Sequence, residues 1–252
     1  MQNNSTTTLR GFVALCVFSA TAVTLGQSTA QEAQLLPRSK RVLTQKEQQA
    51  LTPQKILDLL KAGNERFVEG TLTRRNHSRQ IRAAASGQFP KAVILSCLDA
   101  RIPVEDVFDC GIGDLFVARV AGNFANTDIL GSIEFGCKVA GAKMVLILGH
   151  GSCGAVNATI DGAELGNITS MLANIRPAVD SVRYDGERTS SNAEFADKVT
   201  EANVRLTMNY IRKNSPVLRD LEDSGRIKLV GAIYEMKSGK VSFLKPVAKP
   251  EK

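Results

Sequence analysis

Ala92-Val93-Ile94-Leu95, followed at once by Ser96-Cys97-Leu98-Asp99-Ala100-Arg101, is the stretch that decides the fold. A short unbroken apolar run suits a strand buried on both faces, and such strands belong to parallel sheets. Leu115-Phe116-Val117-Ala118 and Met144-Val145-Leu146-Ile147-Leu148 share that texture. A fourth run spans Ile227 to Ile233, and after a turn at Ser238-Gly239 comes a short Val241-Ser242-Phe243. Helical patterns lie between the runs. Thr52 precedes Pro53, and Ile56, Leu59, Leu60 and Phe67 recur at helical spacing, which predicts a helix capped by Thr52. Thr127 to Val139 reads as a second helix, with Thr127 as cap and Asp128 in its first turn. Thr169 to Asn214 reads as two helices separated by a polar loop near residues 184–191, and Gly70 to Ser86 as a polar, basic loop with a short helix. Strand and helix alternate, so the expected class is α/β with a mostly parallel sheet flanked by helices.

The chain has 252 residues and is 43% hydrophobic, enough for one sizeable core. Its 32 basic and 25 acidic residues leave a net charge of +7, but the basic residues are scattered in pairs such as Lys40-Arg41, Arg74-Arg75 and Arg212-Lys213. No basic stripe forms, so nucleic acid is not an expected partner. At the start, Met1 to Thr8 is polar, Arg10 is positive, Gly11 to Leu25 is apolar or small, and small residues close the segment at Ser28-Thr29-Ala30. Residues 1–30 therefore read as a secretory signal peptide, with a retained N-terminal anchor as the alternative. The apolar stretch is short for a membrane span, so stable insertion is not expected after cleavage. The protein is expected to be periplasmic or otherwise exported. Residues 31–50 read as a flexible leader, 51–245 as the folded domain and 246–252 as a tail.

Chemistry concentrates at two strand ends. Ser96-Cys97-Leu98-Asp99-Ala100-Arg101 follows one apolar run, and Gly149-His150-Gly151-Ser152-Cys153-Gly154 follows another. Ligands in open α/β sheets bind beyond the carboxyl ends of the strands, so neighbouring ends place Cys97 beside His150 and Cys153. Two thiolates and an imidazole favour zinc, and three protein ligands leave a tetrahedral position open, as catalytic sites do. Asp99 and Arg101 stand two apart in what reads as an extended segment, with both side chains beside the metal. Asp99 either ligates zinc or accepts a hydrogen bond from metal-bound water, and Arg101 holds the carboxylate in one of these roles. The remaining histidine, His77, falls in a polar loop. Cys110 and Cys137 read as buried free thiols, with a disulfide between them as the alternative.

Cys97-x-Asp99-x-Arg101 followed by His150-x-x-Cys153 resembles the signature of the β-carbonic anhydrases. Pro103, Gly113-Asp114-Leu115-Phe116, Arg119-Val120-Ala121-Gly122-Asn123, Gly131-Ser132-Ile133-Glu134 and Cys153-Gly154-Ala155 agree with it, and the similarity runs from about Leu51 to Phe243. The resemblance implies a four-stranded parallel core, to which the short C-terminal strand is an extension. It also implies an N-terminal helical arm embracing a partner, and a homodimer or dimer of dimers as the active unit. It implies zinc-dependent reversible hydration of carbon dioxide to bicarbonate and a proton, with one zinc per chain on Cys97, His150 and Cys153. Asp99 and Arg101 are then catalytic, and Gln88 falls where relatives place a glutamine that contacts bicarbonate. The sequence departs from the family at Leu98 and Ala100, where serines are frequent, and at Cys110, where many bacterial relatives have Gln. Carbon disulfide or carbonyl sulfide as substrate, and zinc binding without turnover, are the alternative readings.

Overall fold

The computed structural model describes residues 42–246. Residues 1–41, which hold the expected signal peptide and most of the expected leader, and residues 247–252 of the expected tail lie outside the described residues. A five-stranded sheet forms the centre, in the order β2-β1-β3-β4-β5. Its strands are β1 (Ala92–Ser96), β2 (Leu115–Arg119), β3 (Met144–His150), β4 (Lys228–Tyr234) and β5 (Val241–Phe243). The first four run parallel, and β5 closes one edge antiparallel to β4. The sheet thus has five strands, where the family resemblance implied four and an extension. The turn at Ser238-Gly239 is short enough for β5 to fold back and pair directly with β4, which makes it a full member of the sheet.

Burial explains the strand order. Every residue of β1 and β3 is buried, as their unbroken apolar runs demand, while β2 at the edge is only half-covered. Alternate residues serve opposite faces. Ala92, Ile94, Leu146 and Leu148 pack toward Ile56, Leu60, Val107 and Phe108. Val93, Leu95, Val145 and Ile147 pack toward Leu130, Ile133, Val204 and Leu221. Full burial of one such side chain contributes about 1.5–3 kcal/mol, so these two layers dominate the stability.

Three helices precede the sheet: α1 (Gln45–Ala50), α2 (Pro53–Val68) and α3 (His77–Ala84). Thr52 caps α2 as expected, its hydroxyl accepting from the Lys55 N–H at 3.1 Å. α1 occupies residues expected to be a flexible leader. Thr44 and Glu47 cap each other's backbone at its start, and the buried Gln48 amide donates to the Pro90 and Ala140 carbonyls. Those bonds anchor a polar segment that has no apolar stripe. His77 opens α3 and is not a loop residue, because Asn76 caps that helix through its side chain.

After β1 come α4 (Val104–Val107) and then α5 (Thr127–Glu134), which continues as a π-helical turn over Phe135–Val139. The cap of α5 is Asn126, one residue before the expected Thr127, its side chain accepting from Ile129. Beyond β3 lie α6 (Gly154–Ile160), α7 (Gly166–Leu172), α8 (Arg176–Ser181), α9 (Ala193–Asn214) and α10 (Pro216–Asp223). Residues 169–214 were expected to hold two helices, but α7, α8 and α9 all draw on them. Pro177 sits in the first turn of α8, where a missing N–H is harmless, so it starts a separate helix there. Among the described residues no helix is long and apolar enough to cross a membrane.

Candidate metal centre

β1 and β3 are adjacent and parallel, with Ser96 level with Leu148, so their carboxyl ends open at the same place. Cys97 is the first residue past β1, and His150 is the last of β3. Ser152 then takes a left-handed backbone, φ 52°, and turns the chain back so that Cys153 stands at the head of α6. The ligand atoms of Cys97, His150 and Cys153 all lie within 4.8 Å of one another, and all three residues are buried.

The donor set fits a metal on three counts. The two sulfurs stand 3.9 Å apart, and two thiolates at about 2.3 Å from one tetrahedral centre would be about 3.8 Å apart. His150 Nδ1 lies 2.9 Å from the Gly151 carbonyl, which only accepts, so Nδ1 carries the proton and Nε2 keeps its lone pair. That Nε2 is buried with no hydrogen-bond partner, an arrangement that costs free energy unless something coordinates it. The thiols are also electrostatically poised. Cys153 beside it, with help from His150 and the Gly122 N–H, holds the Cys97 pKa below the ordinary thiol value against the effect of burial. The Cys97 anion and burial then push Cys153 up. The first proton leaves easily and the second resists, which is how a dithiol behaves before a dication arrives.

Asp99 and Arg101 do pair, though by a different route from the extended segment expected. The chain turns here. The Arg101 N–H donates to Asp99 Oδ1 at 2.9 Å, and the Ile102 N–H donates to the Asp99 carbonyl at 3.3 Å. An aspartate that accepts from the N–H two residues on forms a local turn of its own. The guanidinium then completes a fork, Nε to Oδ1 at 2.9 Å and Nη2 to Oδ2 at 2.6 Å. Arg101 beside it holds the Asp99 carboxyl well below the usual carboxylate range. Asp99 Oδ2 lies 3.9 Å from His150 Nε2, beside the donor trio and outside it.

The family model for carbonic anhydrase matches residues 92–241. The chain belongs to the β-carbonic anhydrase family. It is similar to "Carbonic anhydrase 2" of Mycobacterium tuberculosis, 35% identical over 72% of this chain and 87% of that one. Among solved structures it is similar to the β-carbonic anhydrase CafA of Aspergillus fumigatus, with a TM-score of 0.57 and 27% identity over 67% of this chain and 81% of that one. A tetrameric β-carbonic anhydrase of Sordaria macrospora shares the fold, with a TM-score of 0.56 and 22% identity over 65% of this chain and 85% of that one. The enzyme class expected from the motifs, carbonic anhydrase, is borne out.

The carbonic anhydrase does not bring every expected residue together. Gln88 is exposed and precedes β1, whereas Cys97 follows it. The five residues of β1 span about 16 Å, so Gln88 and the trio sit at opposite ends of the same strand. Cys110 and Cys137 are free and buried, not joined to each other. Three residues at the site had no role in the sequence reading. Arg119 donates to two carbonyls of the Cys97–Asp99 segment, Gly122 donates its N–H toward Cys97 Sγ at 3.3 Å, and Asn203 holds the Gly122 carbonyl at 2.7 Å. Arg119 and Gly122 lie in one of the flanking motifs, but nothing in their residue types announces these contacts.

Proposed function

We propose that this enzyme reversibly hydrates carbon dioxide, CO2 + H2O to HCO3⁻ + H⁺, with one zinc ion held by Cys97, His150 and Cys153. The observation that carries the reading is the convergence of three buried donors with a carboxylate fixed beside them. Bound there, zinc supplies the Lewis acidity that makes a water molecule acidic enough to serve as nucleophile. The chain's own residues handle the rest. Asp99 stays ionised and so only accepts, which lets it take the O–H of the reacting water and aim its lone pair at CO2. Arg101 commits both faces of its fork to Asp99 and keeps that carboxylate out of the position the water needs. Were Asp99 released, it would compete for that position and turnover would stop.

We further propose a homodimer or dimer of dimers, periplasmic or otherwise exported, with zinc permanently resident. Gln88, at the far end of β1 from its own trio, fits only as a contributor to a partner's site. The signal-like residues 1–30 support export, and the half-covered edge strand β2 beside the exposed Phe135 and Val139 supports self-association.

Stopped-flow CO2 hydration alongside a zinc assay tests this on the mature protein and on Cys97→Ser. One zinc per chain with hydration rising toward alkaline pH is expected, because two thiolates cancel the ion's double charge and weaken its pull on water. Both should be lost in the variant. Stoichiometric zinc with no hydration from mildly acid to alkaline pH would refute the assignment.

A further inference from the structure

Asp99 is held at two ends by two different arginines. Arg101 grips its carboxylate, as described. Arg119, from the end of β2, grips the backbone beneath. The β1–β2 register sets Arg119 opposite Ser96, one residue short of Cys97. From there its Nε donates to the Cys97 carbonyl at 2.9 Å and its Nη2 to the Asp99 carbonyl at 2.5 Å. The two acceptors belong to the Cys97–Leu98 and Asp99–Ala100 peptide planes, which enclose Leu98 and Asp99 between them.

A guanidinium is planar, and its donors keep a fixed spacing. When one guanidinium satisfies both carbonyls, it fixes the tilt of both peptide planes relative to each other. Those tilts set the directions in which the Cys97 sulfur and the Asp99 carboxylate leave the backbone. Among the described residues no other donor spans both carbonyls; the Ile102 N–H, at 3.3 Å, reaches the Asp99 carbonyl alone. Leu98, between them, is 65% exposed and packs too little to hold the turn. The contacts from Gly122 and Arg101 reach only the side-chain ends.

We infer that Arg119 is a positioning residue of the hydration reaction, clamping the Cys97–Asp99 segment so that the metal-holding sulfur and the water-orienting carboxylate keep their spacing. The inference rests on the zinc reading given above. It adds a residue that touches neither metal nor substrate and acts through the backbone.

Two variants test it, Arg119→Met and Arg119→Lys. Each is measured for zinc per chain, thermal melting, kcat/KM per bound zinc, and the visible bands of its cobalt-substituted form. Met keeps much of the side chain's bulk with no donor, and Lys offers a single amine that cannot span both carbonyls in a fixed plane. In Arg119→Met the expected result is one zinc per chain, a fall in kcat/KM per zinc on the order of ten- to a hundredfold, and altered cobalt bands, because small misplacements near the reacting atoms cost rate steeply. Arg119→Lys should fall between Met and parent.

Kinetics per zinc within about twofold of parent, with parental cobalt bands, would overturn the inference while leaving the metal assignment intact. If Arg119→Met fails to fold, Arg119→Lys decides on the same two readouts: lowered kinetics with shifted bands support the clamp, and parental values overturn it. A parent protein that binds no zinc would overturn the metal reading, and this inference with it.

Discussion

Replacing Gly122 with alanine tests how tightly the shell around the Cys97–His150–Cys153 donor trio is packed. Gly122 has φ +80°, and a methyl group there would fall 2.3 Å from Ile175 Cδ1 and 3.4 Å from Ala155 Cβ. Ile175 is wholly buried in the cluster that also contains Cys97, Cys153, Val156 and Phe195, so it has little room to retreat. Three contributions set the magnitude. A left-handed alanine costs about 1 kcal/mol. Overpacking adds about 1–3 kcal/mol. The stiffer unfolded chain returns about 0.4–1 kcal/mol. The net expectation is a loss of about 1–3.5 kcal/mol, its size set chiefly by the clash.

Gly162→Ala separates the two unfavourable parts. Gly162 has φ +70° with nothing within 4 Å of the added methyl, so it bears only the backbone cost and should lose less than about 1 kcal/mol. Urea unfolding at saturating zinc measures both, read as a shift in midpoint at unchanged slope. Gly122→Ala should also weaken zinc retention against a chelator, because its N–H points at Cys97 Sγ. Equal stability of the two variants, within about 0.5 kcal/mol, would refute the reasoning, since Ile175 would then be free to move aside.

Asp109 accepts from Arg66 Nε at 2.6 Å, Arg75 Nη2 at 2.5 Å, and both the N–H and hydroxyl of Thr73, with its side chain fully covered. Asp109→Asn should cost about 2–4 kcal/mol near neutral pH, discounted for the partly exposed Arg66. Burial alone would raise the Asp109 pKa, but Thr73, Arg66 and Arg75 together bring it below the ordinary value. Its stabilisation is therefore present above the unfolded pKa of about 4 and is lost as pH falls through the lower folded value. The gap between parent and variant should narrow in acid; a gap that widens below about pH 4 would contradict this, as followed by urea midpoints across pH. Cys110 and Cys137 are pushed up by burial, to about 11 and about 12 respectively. Both should be silent to a thiol reagent at mildly alkaline pH until the protein unfolds, and rapid labelling of either in the folded state would show the burial to be wrong.

The sheet was legible because a strand buried on both faces must be largely apolar, and β1 and β3 are so up to Leu95 and Gly149, with one polar residue at each carboxyl end. The donor trio was legible for a related reason. Its three residues fall in two short segments, each fixed to the end of such a strand, so topology alone brings them together. α1 was less so. Its capping pair, Thr44 and Glu47, stands in the sequence, but the helix is polar, and the Gln48 bonds that anchor it reach residues 42 and 92 positions away. The split of α7, α8 and α9 was hidden because α7 and α8 have no side-chain cap at their starts. The Asp99–Arg101 pairing was read correctly and its geometry was not, since an aspartate bonding the N–H two residues on favours a turn over extended chain.

A common property unites the site residues that sequence reasoning missed. Arg119 and Asn203 act on carbonyl oxygens, of Cys97, Asp99 and Gly122, and Gly122 acts through its own N–H. Every residue has a carbonyl, so an acceptor of this kind leaves no mark on the residue type that carries it. A metal ligand must be one of a few side chains, and a carboxylate's partner must be a cation, so those roles restrict the alphabet. Backbone clamps restrict only the donor, and the donor lies 20 to 81 positions from what it holds. A motif of the form Cys-x-Asp-x-Arg therefore shows which side chains come together and is silent about what holds them still. The backbone atoms around Leu98, which the motif writes as an x, are where the structure adds most to the sequence.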